Sequence, residues 1–206
     1  MRKIITTTFV TLDGVMQAPG GQEEDTRNGF KYGGWSFKFG SVSGYWDEMM
    51  GNTMGGFMNL PFELLLGKFT YDIFAGYWPT AKEDELVAKR FNSTRKYVVS
   101  HEPAELSWNN STLITGDVVS EIKKLKEMDG PDLWVHGSGN LIQTLLENHL
   151  IDVMHLWIFP ITLGSGQKLF ADGAQPENLK LVETKVSKTG VIIATYDLEG
   201  ILKTSS

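Results

Sequence analysis

Apolar residues recur along the chain with two different periods. From Lys3 to Leu12 the sequence is a β-branched run of Ile, Thr, Phe and Val, which predicts a strand. Asp13-Gly14 breaks it, since glycine accepts backbone angles that branched residues resist. Short apolar runs at Leu64-Leu65-Leu66, closed by Gly67, and at Leu133-Trp134-Val135 predict strands buried on both faces. Lys96 to Ser100, Thr112 to Thr115 and Met154 to Phe159 predict three more. Leu179 to Val186 and Val191 to Leu198 predict an antiparallel pair turned at Lys188-Thr189-Gly190.

Between these runs the period becomes helical. Val118, Ile122, Leu125 and Met128 follow at spacings of four, three and three, with Glu121, Lys123, Lys124 and Glu127 on the other face. Asp117 suits the N-cap of that helix, and Gly130-Pro131 stops it. Leu141, Ile142, Leu145 and Leu146 predict a second helix after Gly137-Ser138-Gly139. A third begins near Lys68, where Tyr71 is expected to pack inward, and a short surface helix is predicted over Glu83 to Phe91. Residues 19–59 follow neither period. Glycines alternate there with Phe30, Tyr32, Trp35, Phe37, Phe39, Tyr45 and Trp46, too aromatic for a linker and too glycine-rich for a long helix. An irregular packed insert is expected, with a helix somewhere between Tyr45 and Met58. It is either a satellite core or a lid over a ligand site. Strands alternating with helices and ending in a hairpin indicate an α/β fold with a mostly parallel sheet and antiparallel edge strands.

Composition narrows the function classes. The 206 residues suit one domain with a full hydrophobic core, and 41% hydrophobic with 21% charged residues is ordinary for a globular chain. A net charge of −6 argues against nucleic acid or an anionic membrane as partner. The absence of cysteine excludes disulfides, thiolate metal sites and a thiol nucleophile, and no metal site is expected. No stretch reaches the roughly 18 apolar residues of a membrane span, and the start of the chain lacks a signal-peptide pattern. A cytoplasmic protein is expected.

Ligands of parallel sheets bind beyond the carboxyl ends of the strands. Those exits are Gly67-Lys68-x-Thr70, Ser100-His101 and Gly137-Ser138-Gly139-Asn140. Glycines at a strand-to-helix turn let a phosphate reach backbone N–H groups at the positive end of a helix. Lys68 and Thr70 add a cation and a hydroxyl, Ser100 can hydrogen-bond a phosphate, and His101 can stack on adenine or pair with a 2′-phosphate. Each is an ordinary surface feature alone; three on one edge point to a dinucleotide. Asp13, His149 and His155 are more simply read as turn, core or surface residues.

These exits, in this order, resemble the dihydrofolate reductase fold. They are most similar to the C-terminal reductase domain of bacterial bifunctional riboflavin-biosynthesis enzymes. The likeness rests on Thr11-Leu12-Asp13-Gly14, Gly33-Gly34-Trp35-Ser36-Phe37, Leu64 to Tyr71, Phe74 to Pro79 and Lys96 to Ser100. It continues through Trp108 to Thr112, Gly137-Ser138-Gly139-x-Leu141-x-Gln143 and Pro160 to Gly166. The resemblance implies a three-layer fold with helices on both faces of the sheet, and a homodimeric reductase that binds NADPH. Gly67, Lys68 and Thr70 would then lie beside the phosphates, Ser100 and His101 near the 2′-phosphate, and Gly137 to Leu141 (Ser138, Gly139 and Asn140 between them) against the pyrophosphate. Thr11 to Ala18 would border the nicotinamide. The acid that folate reductases carry after a Trp has no counterpart in Phe37 to Ser41. The Glu usual before the glycine pair in riboflavin-pathway reductases is His136 here.

Hydride transfer needs a dry pocket and a proton source rather than a nucleophile. A lid at Trp35 and Phe37, with Tyr77 and Trp78, could exclude water and stack on a flat substrate. Asp13 is the candidate proton donor. The activity expected is reduction of a small heterocycle or carbonyl compound, the riboflavin-pathway ribosylaminopyrimidine among them. The alternative is a nucleotide- or flavin-binding protein on the same fold without turnover.

Overall fold

The computed structural model describes residues 1–40, 46–81 and 85–202. Among them, strands β1 (Ile4–Thr11), β2 (Phe62–Gly67), β3 (Lys96–Val99), β4 (Ser111–Ile114), β5 (Asp132–His136), β6 (Val153–Phe159), β7 (Glu177–Val186) and β8 (Ile192–Ile201) form one sheet. Its order is β4-β3-β2-β5-β1-β6-β8-β7. The strands from β4 across to β6 are parallel, while β8 pairs antiparallel with β6 and β7 with β8. Helices α1 (Glu48–Asn59), α2 (Lys68–Tyr77) and α3 (Glu85–Ser93) lie on one face, and α4 (Val118–Glu127) and α5 (Gly139–Glu147) on the other. The expected dihydrofolate reductase-like three-layer α/β architecture is the observed one.

Burial explains the apolar runs. Leu64 and Leu66 pack against α1 to α3, whereas Leu65 packs beneath α4 and α5, so three successive leucines are all fully buried. On β1, Ile4 and Val10 face α4 and α5, and Ile5 and Phe9 face the other way. The α4 stripe buries Val118, Ile122 and Leu125, and Asp117 caps it by accepting from the Ser120 amide at 3.1 Å. Met128, the last member of the predicted stripe, is exposed instead: the backbone turns extended there and carries the side chain off the helix face.

The described residues of the insert, 19–40 and 46–59, pack as a satellite core. Phe30, Trp35 and Met50 are buried with Val15, Trp157, Phe159 and Val191. Gly33 is required, since a Cβ there would sit 2.3 Å from the Gln22 carbonyl oxygen. The side chain of Asp47 caps α1 through the Met50 amide and also accepts from the Lys188 amide, both at 2.9 Å, which ties the insert to the hairpin turn. Tyr45, Glu83 and Asp84, the predicted starts of two helices, lie outside the described residues. No helix among the described residues is long and apolar enough to cross a membrane.

Candidate functional site

Strands β3, β2 and β5 are neighbours, so their carboxyl ends fall on one edge. At the β5 exit, Gly137 and Ser138 are both left-handed, with φ of 60°. The Ser138 amide donates to Thr70 Oγ1 and the Gly67 amide donates to Ser138 Oγ, each at 3.0 Å. The β2 and β5 corners are therefore stitched together. Beyond them, the amides of Gly139, Asn140 and Leu141 head α5 without intrahelical acceptors, because the first intrahelical bond is Ile142 N–H to the Ser138 carbonyl. A Cβ on Gly137 would come 3.3 Å from Thr70 Cγ2, and one on Gly139 2.6 Å from Gln167 Nε2. Only glycine leaves this backbone open to a bound anion.

The same corner borders a cavity of about 510 Å³, which Gly137, Ser138 and Gly139 help to line. Aromatic side chains form much of its wall. Tyr77 and Trp78 meet edge to face at 4.9 Å, Trp78 meets Phe91 at 5.2 Å, and Phe91 meets the His136 ring at 5.1 Å. Met50, Met54 and Trp46 approach from the insert and α1, and Phe37 closes a side. Thr7 and His136 lie on adjacent strands as a registered pair and form the floor. Burial, with a smaller contribution from the nearby His155, pushes the His136 imidazole down to about 3, so the ring is neutral at physiological pH.

An acidic loop makes the remaining wall. Burial pushes the Glu24 carboxyl above its usual range, against the opposing effect of the Gly20 and Gly21 amides. The Gly20 amide donates to Glu24 Oε2 at 2.5 Å. Asp25 is also buried, but its fork to the Arg27 guanidinium, at 2.8 and 2.6 Å, outweighs the burial and keeps it ionised. That guanidinium lies 3.6 Å above the Phe69 ring and clasps the loop onto α2. No group of potential metal ligands occurs among the described residues.

The model of the RibD C-terminal domain matches residues 2–193. The chain belongs to the RibD C-terminal domain family. It is 31% identical over 202 residues to YyaP of Bacillus subtilis strain 168, covering 97% of this chain and 96% of the relative. Its fold is similar to that of a Shewanella sp. PV-4 protein assigned to riboflavin biosynthesis (TM-score 0.70, 20% identity, 96% and 99% of the two chains). It is also similar to the Enterococcus faecalis dihydrofolate reductase complexed with NADP(H) (TM-score 0.57, 14% identity, 96% of each chain).

Within this RibD-type framework the expected site residues separate. Gly137, Ser138, Gly139, Thr70, Phe37, Tyr77 and Trp78 all border the cavity. Gly67 and Lys68 stand beside it at the head of α2, where Lys68 Nζ pairs with Asp72 at 2.7 Å. Ser100 and His101 lie farther along the edge, with Ser100 Oγ accepting from the Glu102 amide at 3.3 Å and His101 exposed. Asn140 Oδ1 accepts from Gln167 Nε2 at 2.8 Å. The Leu141 side chain is committed to the aliphatic core, so only its backbone faces the corner.

Two expectations need correction. Trp35 is not a lid: it is buried, its Nε1 donates to the Gln17 carbonyl at 2.7 Å, and it packs edge-on against Phe159. Asp13, the candidate proton donor, is held in its turn instead of reaching the cavity. Its carboxylate accepts from the Thr11 hydroxyl at 2.5 Å and from the Leu163 and Gly164 amides, which holds it below the usual carboxylate range, and it does not line the cavity. Sequence reasoning missed Thr7, Glu24 and Arg27. The available signals were three threonines within a central strand and an acidic triplet, Glu23 to Asp25, inside an aromatic insert.

Proposed function

We propose that this member of the RibD C-terminal domain family is an NADPH-dependent oxidoreductase acting on a small heterocyclic or carbonyl compound. The observation that carries this reading is that the glycine corner and the aromatic cavity form one continuous site, with Gly137, Ser138 and Gly139 belonging to both. The complex of the E. faecalis reductase with NADP(H) supports the choice of cofactor. The residues present fit a dinucleotide: unpaired helix-head amides, glycines whose Cβ would fill the cradle, and a cation at Lys68. Gly67, Lys68 and Thr70 would flank the phosphates, Gly137 to Leu141 the pyrophosphate, and Ser100 with His101 the 2′-phosphate end.

A reduced dinucleotide held there would supply hydride for an electrophilic carbon, whose π pair would pass to the attached heteroatom and leave that atom to be protonated. The protein's own part is positional and electrostatic. Tyr77, Trp78 and Phe37 exclude water and offer faces for a flat ring, and Met16, Gln17 and Ala18 border the reacting region. Glu24 holds a proton at the wall to higher pH than an exposed glutamate does, which suits it as the proton source. The ribosylaminopyrimidine of riboflavin biosynthesis is the first heterocycle to try.

We also propose a cytoplasmic homodimer. Its support is apolar side chains on the terminal hairpin, where Leu181, Val182, Val186 and Ile201 are each more than half exposed. Light scattering on the purified protein checks the oligomeric state. Calorimetric titration with NADPH and NADH, followed by dinucleotide oxidation with pterins, pyrimidines and quinones, tests the activity. Absence of NADPH binding overturns the reading. Binding with no turnover of any acceptor makes the protein a nucleotide- or flavin-binding member of the fold.

A further inference from the structure

Two histidines occupy one row of the sheet. Thr7 of β1 stands in register with His136 of β5 on one side and with His155 of β6 on the other. His155 is satisfied: its Nδ1 lies 2.9 Å from Thr195 Oγ1, and Phe57 stacks over its ring at 4.4 Å. It does not border the cavity. His136 and Thr7 do, and there His136 Nε2 and Thr7 Oγ1 are buried without any partner. Trp78 Nε1, on the adjoining wall, is buried and unpartnered as well. Thr6 Oγ1 and Thr8 Oγ1 also lack partners; strand alternation turns both toward the opposite face of the sheet from Thr7, and of the two only Thr8 borders the cavity.

A buried polar atom without a partner costs about 1–3 kcal/mol. Three such atoms at one cavity, while the other histidine of the row has a hydrogen-bond partner, mark places where something else makes the bonds. The three are uncharged. Trp78 Nε1 only donates, the Thr7 hydroxyl can donate, and His136 donates or accepts according to tautomer. The charged groups at the cavity lie apart on the loop wall, where Glu23, Glu24 and Asp25 outnumber Arg27 and disfavour an anion.

We infer that Thr7, His136 and Trp78 form a substrate subsite for the oxygen of an uncharged, flat carbonyl compound of the quinone or conjugated-ketone class, with Thr7 and His136 setting the specificity. This rests on the reductase reading for its consequence but not for its binding. Donors at that oxygen would stabilise the charge that develops as hydride arrives at the carbonyl carbon. A ligand with a donor-rich, cationic edge finds no free carboxylate on this floor.

Fluorescence of Trp46 and Trp78, which both line the cavity, reports binding without cofactor. The probes are menadione, its anionic 2-hydroxy analogue and 2-methylnaphthalene, which has the shape without the oxygens. Menadione is expected to bind at least about tenfold tighter than either of the others. Thr7→Val and His136→Phe should each remove about fivefold to tenfold of that preference, the worth of one neutral hydrogen bond. Thr7→Ser should restore it, which separates a hydroxyl effect from a folding defect. Menadione bound no tighter than 2-methylnaphthalene, or weakened equally with it in Thr7→Val, overturns the inference. So does failure of the wild-type protein to bind menadione. NADPH titration of the same sample keeps the two readings apart. Floor-dependent quinone binding without NADPH binding removes only the reductase, and NADPH binding without quinone binding removes only the subsite.

Discussion

The two faces of the sheet are built from different chemistry. Under α4 and α5 the core is almost wholly aliphatic, with Ile122, Leu133, Ile142 and Leu145 fully buried and interlocked. Under α1 to α3 and the insert it is aromatic, with Phe62 stacked on Trp134, Trp46 edge-on to Trp157 and Trp35 edge-on to Phe159. Branched aliphatic side chains interdigitate and leave little space. Large rigid rings meeting edge to face leave gaps, and on this face the gap is the cavity. The unpartnered atoms of Thr7, His136 and Trp78 at the cavity sit on that side. One face holds the fold together; the other gives up packing density and polar satisfaction for a place to hold a ligand.

The contrast can be broken from either side. Ile122→Ala, on the sealed face, should cost about 2–5 kcal/mol in denaturant unfolding while leaving NADPH affinity unchanged. Acid should act through the open face. His136 and His155 are held neutral by burial, down to about 3 and about 4. The unfolded chain takes up these protons first, near pH 6.5. Stability is therefore full above that pH and falls as pH drops through the folded values, by an amount on the order of a few kcal/mol. Urea midpoints measured between about pH 7 and pH 4 should show the fall, and His136→Phe should flatten it.

At the corner, Gly137→Ala places a Cβ against Thr70 at a left-handed backbone position. It should cost about 1–3 kcal/mol of stability and at least about tenfold in dinucleotide affinity, read by melting and calorimetry together. Lys68→Ala should weaken NADPH by about 1–3 kcal/mol if a phosphate draws Lys68 from Asp72. The exposed ion pair itself is worth under about 1 kcal/mol to the fold, so a melting curve should barely move. Smallest is His101→Ala, expected to lower affinity for NADPH more than for NADH. Equal changes would take His101 away from the 2′-phosphate.

Where period and burial coincide, local pattern sufficed. The leucines of β2, the α4 stripe from Val118 to Leu125, the hairpin at Lys188 to Gly190 and the glycine exits each have a single satisfactory solution, because apolar spacing and glycine geometry act over a few residues. Asp13 and Trp35 show where that reasoning stops. Each looked available because its neighbours in sequence are polar or glycine-rich. Their partners, Leu163 and Gly164 for one and Gln17 with Phe159 for the other, arrive from distant strands and loops.

The chain's own order of residues was enough to determine a parallel sheet, its terminal hairpin and the edge where its glycine corners lie, since periodicity and turn chemistry are local. Tertiary structure alone decided which polar groups stay unbonded at the cavity. Thr7 and His136 are 129 positions apart and become neighbours only when β1 and β5 pair, and partnership between side chains is a property of that pairing rather than of either strand.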